Sequence, residues 1–301
     1  MNTVSAETFN GSLYDYDPAF SVQVGIHDVP AWVIVSEHTQ TRDITRGIMC
    51  EQGWTAGVDS LAWMGSELAR QLTDTAVIIH DYPHLKIHTV KDILHNLDTL
   101  QHNGIGRQRT DTVLSVGEQA CKLLGLSEAE VIGHSLGALT SMQAASEAND
   151  GFRFIRATGV ASAGRVPQGQ VPRTLVRAPR AFCGKDKKLL TNILGLVNNL
   201  KYQNIIQVSC EAGFALTEPL RDHINTLHTV NPEAEIAGMD CVNDILFPPS
   251  IMPSDMFGDN FIVMHEGCAC HGALSHPSEA PRYARALVNL WRRQRPAVIA
   301  A

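Results

Sequence analysis

Five consecutive residues, Gly133-His134-Ser135-Leu136-Gly137, lie between a short buried run, Glu130-Val-Ile-Gly133, and a helical pattern from Leu136 to Ala148. This placement constrains the chain more than any other feature, because a strand must become a helix across a single residue. A serine at the apex of such a turn is held in strained backbone, with its hydroxyl raised above the strand ends. A glycine two residues to either side is needed, since a side chain there would collide with the neighbouring helix or strand. The amide of Leu136 opens the helix and points to where negative charge would develop during attack by Ser135, with help from the helix dipole.

The rest of the chain supplies the sheet that such a turn requires. Alternating apolar positions in Phe20 to Val24 and Ala31 to Val35, with Asp28-Val29-Pro30 between them, predict a hairpin. Ile44 to Cys50 reads as a strand ending at Glu51-Gln52-Gly53-Trp54, and Val58 to Leu72 as a helix with Leu61, Met64, Leu68 and Leu72 on one face. Strands over 76–80, 130–133 and 154–160 then alternate with helices over 110–124 and 136–148. The rhythm resumes with strands over 234–241 and 260–265 and a last helix over 277–291. Such alternation implies parallel strands with helices on both faces, an α/β fold. Residues 1 to about 18 show no periodicity and are expected as a loose arm.

Between Gly164 and Val230 the rhythm breaks. Pro167, Pro172 and Pro179 open this stretch, and a helical stripe of Leu189, Leu190, Ile193, Leu194 and Val197 follows. It reads as a cap inserted over an active site. The expected organisation is one catalytic domain, with core halves 1–164 and 231–301 around a cap at 165–230.

The formal charge is −7 and the basic residues form no runs, which argues against nucleic acid or an anionic membrane as the main partner. No stretch approaches the roughly 18 apolar residues of a membrane span. The seven cysteines, odd in number and irregularly spaced, read as reduced thiols. Together with a polar, acidic start, they lead to the expectation of a cytoplasmic protein.

With strand, elbow and helix in place, the chain resembles the α/β-hydrolase superfamily from about residue 45 to residue 293, the cap excepted. The resemblance implies a serine nucleophile at Ser135 and chain order serine, acid, histidine. It also implies a second oxyanion amide at Trp54, although Gln52 stands where the family usually carries histidine, and packing is the other reading of Trp54. Asn243-Asp244-Ile-Leu-Phe-Pro248 resembles the family's acid loop, which points to Asp244, with Asp240 as the alternative. His271, in Gly267-Cys-Ala-Cys-His-Gly272, matches the position of the family's catalytic histidine. Its competitors are His265, read as a strand-end side chain, and His276, read as the entry to the last helix.

Neither metal nor cofactor is expected. Cys268 and Cys270 lack a second ligand pair at zinc spacing, and Pro83 breaks the helix that would align His80, His84, His88, His95 and His102. The expected activity is acyl transfer from a small-molecule carboxylic ester to water, with an apolar group under the cap stripe. A carbon–carbon hydrolase, a cofactor-free haloperoxidase or lyase, and a silent ligand-binding protein remain as alternatives. Oligomeric state is left open.

Overall fold

Near-continuous buried runs in the central strands build a sheet with both faces covered. The computed structural model describes residues 1–53, 57–83, 102–147, 152–162, 205–244, 247, 254–265 and 271–294. Among the described residues, nine strands form one sheet: β1 (Val4–Ser5), β2 (Phe20–Val24), β3 (His27–Val35), β4 (Arg46–Glu51), β5 (Thr75–His80), β6 (Glu128–His134), β7 (Arg153–Val160), β8 (Glu235–Cys241) and β9 (Phe261–Met264). Their order is β1-β3-β5-β4-β6-β7-β8-β9, with β2 paired to β3. The β2–β3 and β3–β5 pairs are antiparallel and the others parallel.

Among the described residues, six helices accompany the sheet: α1 (Asp59–Gln71), α2 (His102–Leu124), α3 (Leu136–Ser146), α4 (Ile205–Thr217), α5 (Leu220–Val230) and α6 (Ala280–Gln294). The pleat sorts the core into two layers. Val33, Met49, Ile78 and Val131 share one cluster with the inner faces of α2, α3 and α5. Ile34, Ile48, Val77 and Ile132 face the other way, among residues of α1 and α6. A three-layer architecture follows, with the carboxyl ends of the parallel strands meeting at one rim.

Three expectations need correction. The first residues are not a loose arm: β1 pairs in parallel with β3, and Ala6, Phe9 and Leu13 are buried. Ser12 Oγ and the Leu13 amide both donate to the Asp59 carboxylate at the start of α1, at 2.7 and 2.6 Å. The hairpin turn falls at Gly25-Ile26, where Gly25 takes φ +60°, and Asp28-Val29-Pro30 lie inside β3. Helix α2 begins at His102, well before Thr110.

Residues 163–204 lie outside the described residues, and with them the expected cap stripe at Leu189 to Val197. The later part of that expected segment forms α4 and α5. Leu220, Ile224 and Leu227 of α5 belong to the same core cluster as Leu139 and Met142 of α3.

At the amino ends of four strands lies a buried ion cluster. Arg46 of β4 grips Glu130 of β6 through two hydrogen bonds of 2.7 and 2.6 Å. Arg156 of β7 donates to Glu130 at 2.8 Å and also to Glu235 of β8. The Trp291 ring lies under both guanidinium groups, 4.9 and 5.5 Å away. Among the described residues, no helix is long and apolar enough to cross a membrane.

Candidate active site

Ser135 joins β6 to α3 with φ 56° and ψ −120°, a region that L-residues avoid. The surrounding chain holds it there. Its amide donates to Val160 O at 2.9 Å, and its carbonyl accepts from the Ala138 amide at 3.0 Å. Its hydroxyl does not cap α3. A Cβ on Gly133 would stand 2.1 Å from Gly137 O, and one on Gly137 would stand 2.3 Å from Glu51 O. Both glycines therefore do what the sequence requires of them: they let the elbow close against α3 and the end of β4. Leu136, as the first residue of α3, has an amide with no acceptor inside the helix.

Gly53 lies against the elbow. A Cβ there would meet Ser135 Cβ at 3.0 Å and His134 O at 3.2 Å. The segment after β4 thus runs beside the serine. Trp54 itself lies outside the described residues.

Asp244 follows β8, its amide turned back to Cys241 O at 2.9 Å. One carboxylate oxygen accepts from the Phe247 amide at 2.9 Å and the other from His271 Nδ1 at 2.7 Å. Both side chains are buried. Because a carboxylate only accepts, Nδ1 carries the proton and the lone pair stays on Nε2. Phe247 lies 5.6 Å from the His271 ring, centroid to centroid.

Asp240, the alternative acid, makes no hydrogen bond to a histidine among the described residues. Its Oδ1 accepts from the Cys241 amide at 2.7 Å, while Oδ2 has no partner there. Burial, aided by the charge of Asp244, pushes its pKa up to about 8. His265 is exposed just beyond β9. His276 is exposed before α6, its Nδ1 2.7 Å from Ser278 Oγ.

His134 carries no signal in the sequence, where it fills a variable position of the elbow. Its Nε2–H donates to the His271 carbonyl at 2.7 Å, and the two rings lie 4.9 Å apart. Burial, reinforced by repulsion from His271, lowers its pKa to about 3, so it is neutral and ties the His271 backbone to the elbow.

The described residues contain no cluster of three or more side chains suited to a metal ion. Cys268 and Cys270 lie outside them, as do His84, His88 and His95. His80 instead faces Glu51 at 3.0 Å.

The fold that carries this strained serine and buried histidine–carboxylate pair is shared with solved structures. An esterase from Exiguobacterium antarcticum superposes with TM-score 0.62 at 12% identity, over 91% of this chain and 99% of that one. The chain has the α/β-hydrolase fold. A bromoperoxidase from Bacillus anthracis (TM-score 0.59, 12% identity) and an enol-lactonase from Burkholderia xenovorans (TM-score 0.56, 14% identity) each align over 90% of this chain and 99% of their own. No family model and no curated protein matches the sequence.

Proposed function

We propose that the protein is a serine hydrolase that cleaves carboxylic esters through an acyl-enzyme. The observation that carries this reading is the His271–Asp244 hydrogen bond at the strand ends beside the strained Ser135. In the proposed reaction Ser135 Oγ attacks the ester carbonyl and its proton passes to His271 Nε2. The amides of Leu136 and Trp54 hold the developing oxyanion. Collapse expels the alcohol, which takes the proton from His271. Water then attacks the acyl-serine, returns a proton to Ser135 through His271, and releases the acid. Asp244 fixes the tautomer and steadies the imidazolium.

Esterase and lactonase neighbours favour acyl substrates. The cap segment at 165–230 is proposed to select among them, with preference for an apolar acyl or alcohol group. Buried free thiols at Cys50 and Cys121 favour a reducing, cytoplasmic setting.

The test is a fluorophosphonate probe combined with p-nitrophenyl esters from acetate to palmitate. Labelling at Ser135, lost in Ser135→Ala together with ester turnover, is the expected result. A wild-type protein that neither labels nor turns over any ester would instead point to a ligand-binding role. Peroxide-dependent bromination without ester turnover would favour the reading suggested by the bromoperoxidase neighbour.

A further inference from the structure

A second buried charge cluster lies at the carboxyl end of β4, directly beneath the segment that passes Ser135. Arg109 of α2 is its centre. One nitrogen, Nη2, donates to Gln52 O at 2.6 Å and to Glu51 Oε1 at 3.1 Å. The other, Nη1, lies 3.5 Å from Glu211 Oε1 on α4. The Tyr82 ring covers the guanidinium at 3.9 Å. His80 closes the far side, its Nε2 3.0 Å from Glu51 Oε2 and its Nδ1 2.7 Å from Asp81 O. Glu51, His80, Arg109 and Glu211 are all buried.

We propose that Arg109 is a positioning residue that holds the Gln52-Gly53 segment in the geometry the oxyanion donors need; this rests on the ester-hydrolase reading of Ser135. Gln52 O is the last backbone acceptor before Gly53, and Gly53 runs so close to the elbow that a Cβ on it would stand 3.0 Å from Ser135 Cβ. Without a fixed partner at Gln52 O, the peptides that follow can swing, and a displacement of about 1 Å is worth roughly 100-fold in rate. A planar guanidinium can serve Glu51, Gln52 O and Glu211 together, whereas a lysine ammonium on a flexible stem cannot hold the same fork. The anchoring of α2 is equally specific. One turn before Arg109, Gly106 admits Phe214 of α4 so closely that a Cβ would stand 2.6 Å from its ring. Phe214 and Glu211 lie one turn apart on α4, so a single face of that helix sets both the packing and the ion pair.

The experiment compares wild type with Arg109→Lys, Arg109→Met and the charge-compensated triple variant Arg109→Met/Glu51→Gln/Glu211→Gln, the last guarding against loss of folding through unpaired buried carboxylates. Active sites are counted with a fluorophosphonate. Then kcat, KM and the inhibition constant of an alkyl boronic acid, whose tetrahedral adduct places an oxygen in the oxyanion position, are measured per titrated site. We expect kcat to fall by about 10² to 10³ in the methionine variants, the scale of a lost oxyanion donor, with KM within about threefold. Boronate affinity should fall in parallel, and lysine should restore only part of either. A kcat and boronate affinity within threefold of wild type in the variants that fold would overturn the inference while leaving the hydrolase reading intact. A wild-type Ser135 that does not label would overturn both.

Discussion

Strand β4 carries a buried ion cluster at each end, and the two are used differently. At its amino end, Arg46 and Arg156 donate to Glu130 and Glu235, tying together β4, β6, β7 and β8. At its carboxyl end, Arg109 is contributed by a helix and donates to a backbone carbonyl as well as to a carboxylate. Burying such charges is costly at either end, and removing one partner leaves the other uncompensated. The lesson lies in what is tied down. Side chains across four strands secure the sheet, whereas a guanidinium on a backbone oxygen secures a loop beside the serine. Damage at one end should read as lost stability, and at the other as lost rate.

The largest effect expected at the carboxyl end is on turnover. Ser135→Ala and His271→Ala should each lower kcat by about 10⁴ to 10⁶ without altering the circular dichroism spectrum, and the double variant should be scarcely worse. Retention of a tenth of wild-type turnover by either would remove that residue from the mechanism. Asp244→Asn should cost less, about 10² to 10⁴ in kcat, because in the proposed mechanism the acid orients the histidine without touching substrate. Asp240→Asn should stay near wild type in the same assay; a reversal would move the acid to Asp240.

At the amino end, Glu130→Gln should destabilise the protein by about 3 to 5 kcal/mol in urea titration, since two guanidinium groups lose a shared partner. Its kcat per titrated site should match wild type. A selective loss of rate there would erase the contrast between the ends.

The last prediction concerns pH. Asp240 keeps its proton in the folded chain up to about pH 8, whereas an unfolded aspartate loses it near 4. The folded state then binds more protons than the unfolded one between those values, so stability falls as pH rises through that window and levels off above it. Asp240→Asn has no proton to lose and should flatten this decline. An unchanged slope in denaturation midpoints between pH 4 and 8 would show that other groups set it.

Much of this was legible in the sequence, for identifiable reasons. The elbow, its two glycines and the buried strands announce themselves because backbone sterics and short continuous apolar runs leave few alternatives. Family resemblance pointed to Asp244 and His271 on loops after strands, and the structure brings these two side chains into hydrogen-bond contact. What escaped depends on tertiary contacts. Val4, Phe9 and Leu13 are spaced too irregularly to signal order, yet each finds a place in the core. The first turns of α2 carry Asn103, Gly104 and Gly106, poor helix formers in isolation, and Gly106 is there to admit Phe214. Arg109 sits in Arg107-Gln108-Arg109, which reads as a solvated surface until α4 and β4 close over it.

The close approach at Gly137 also bears on how such a protein can change over generations. The obstacle to a side chain there is the carbonyl oxygen of Glu51, with that of Gln52 beside it, and backbone of a central strand has no alternative rotamer into which to retreat. Substitution is therefore not graded by size, since alanine already meets the barrier that valine would. In a saturation library, positions 133 and 137 should act as filters that pass one residue and reject nineteen, with no intermediates for selection to climb. Novelty in a lineage built on this elbow has to enter elsewhere, through the residues that surround the serine and not through those that bend the chain to present it.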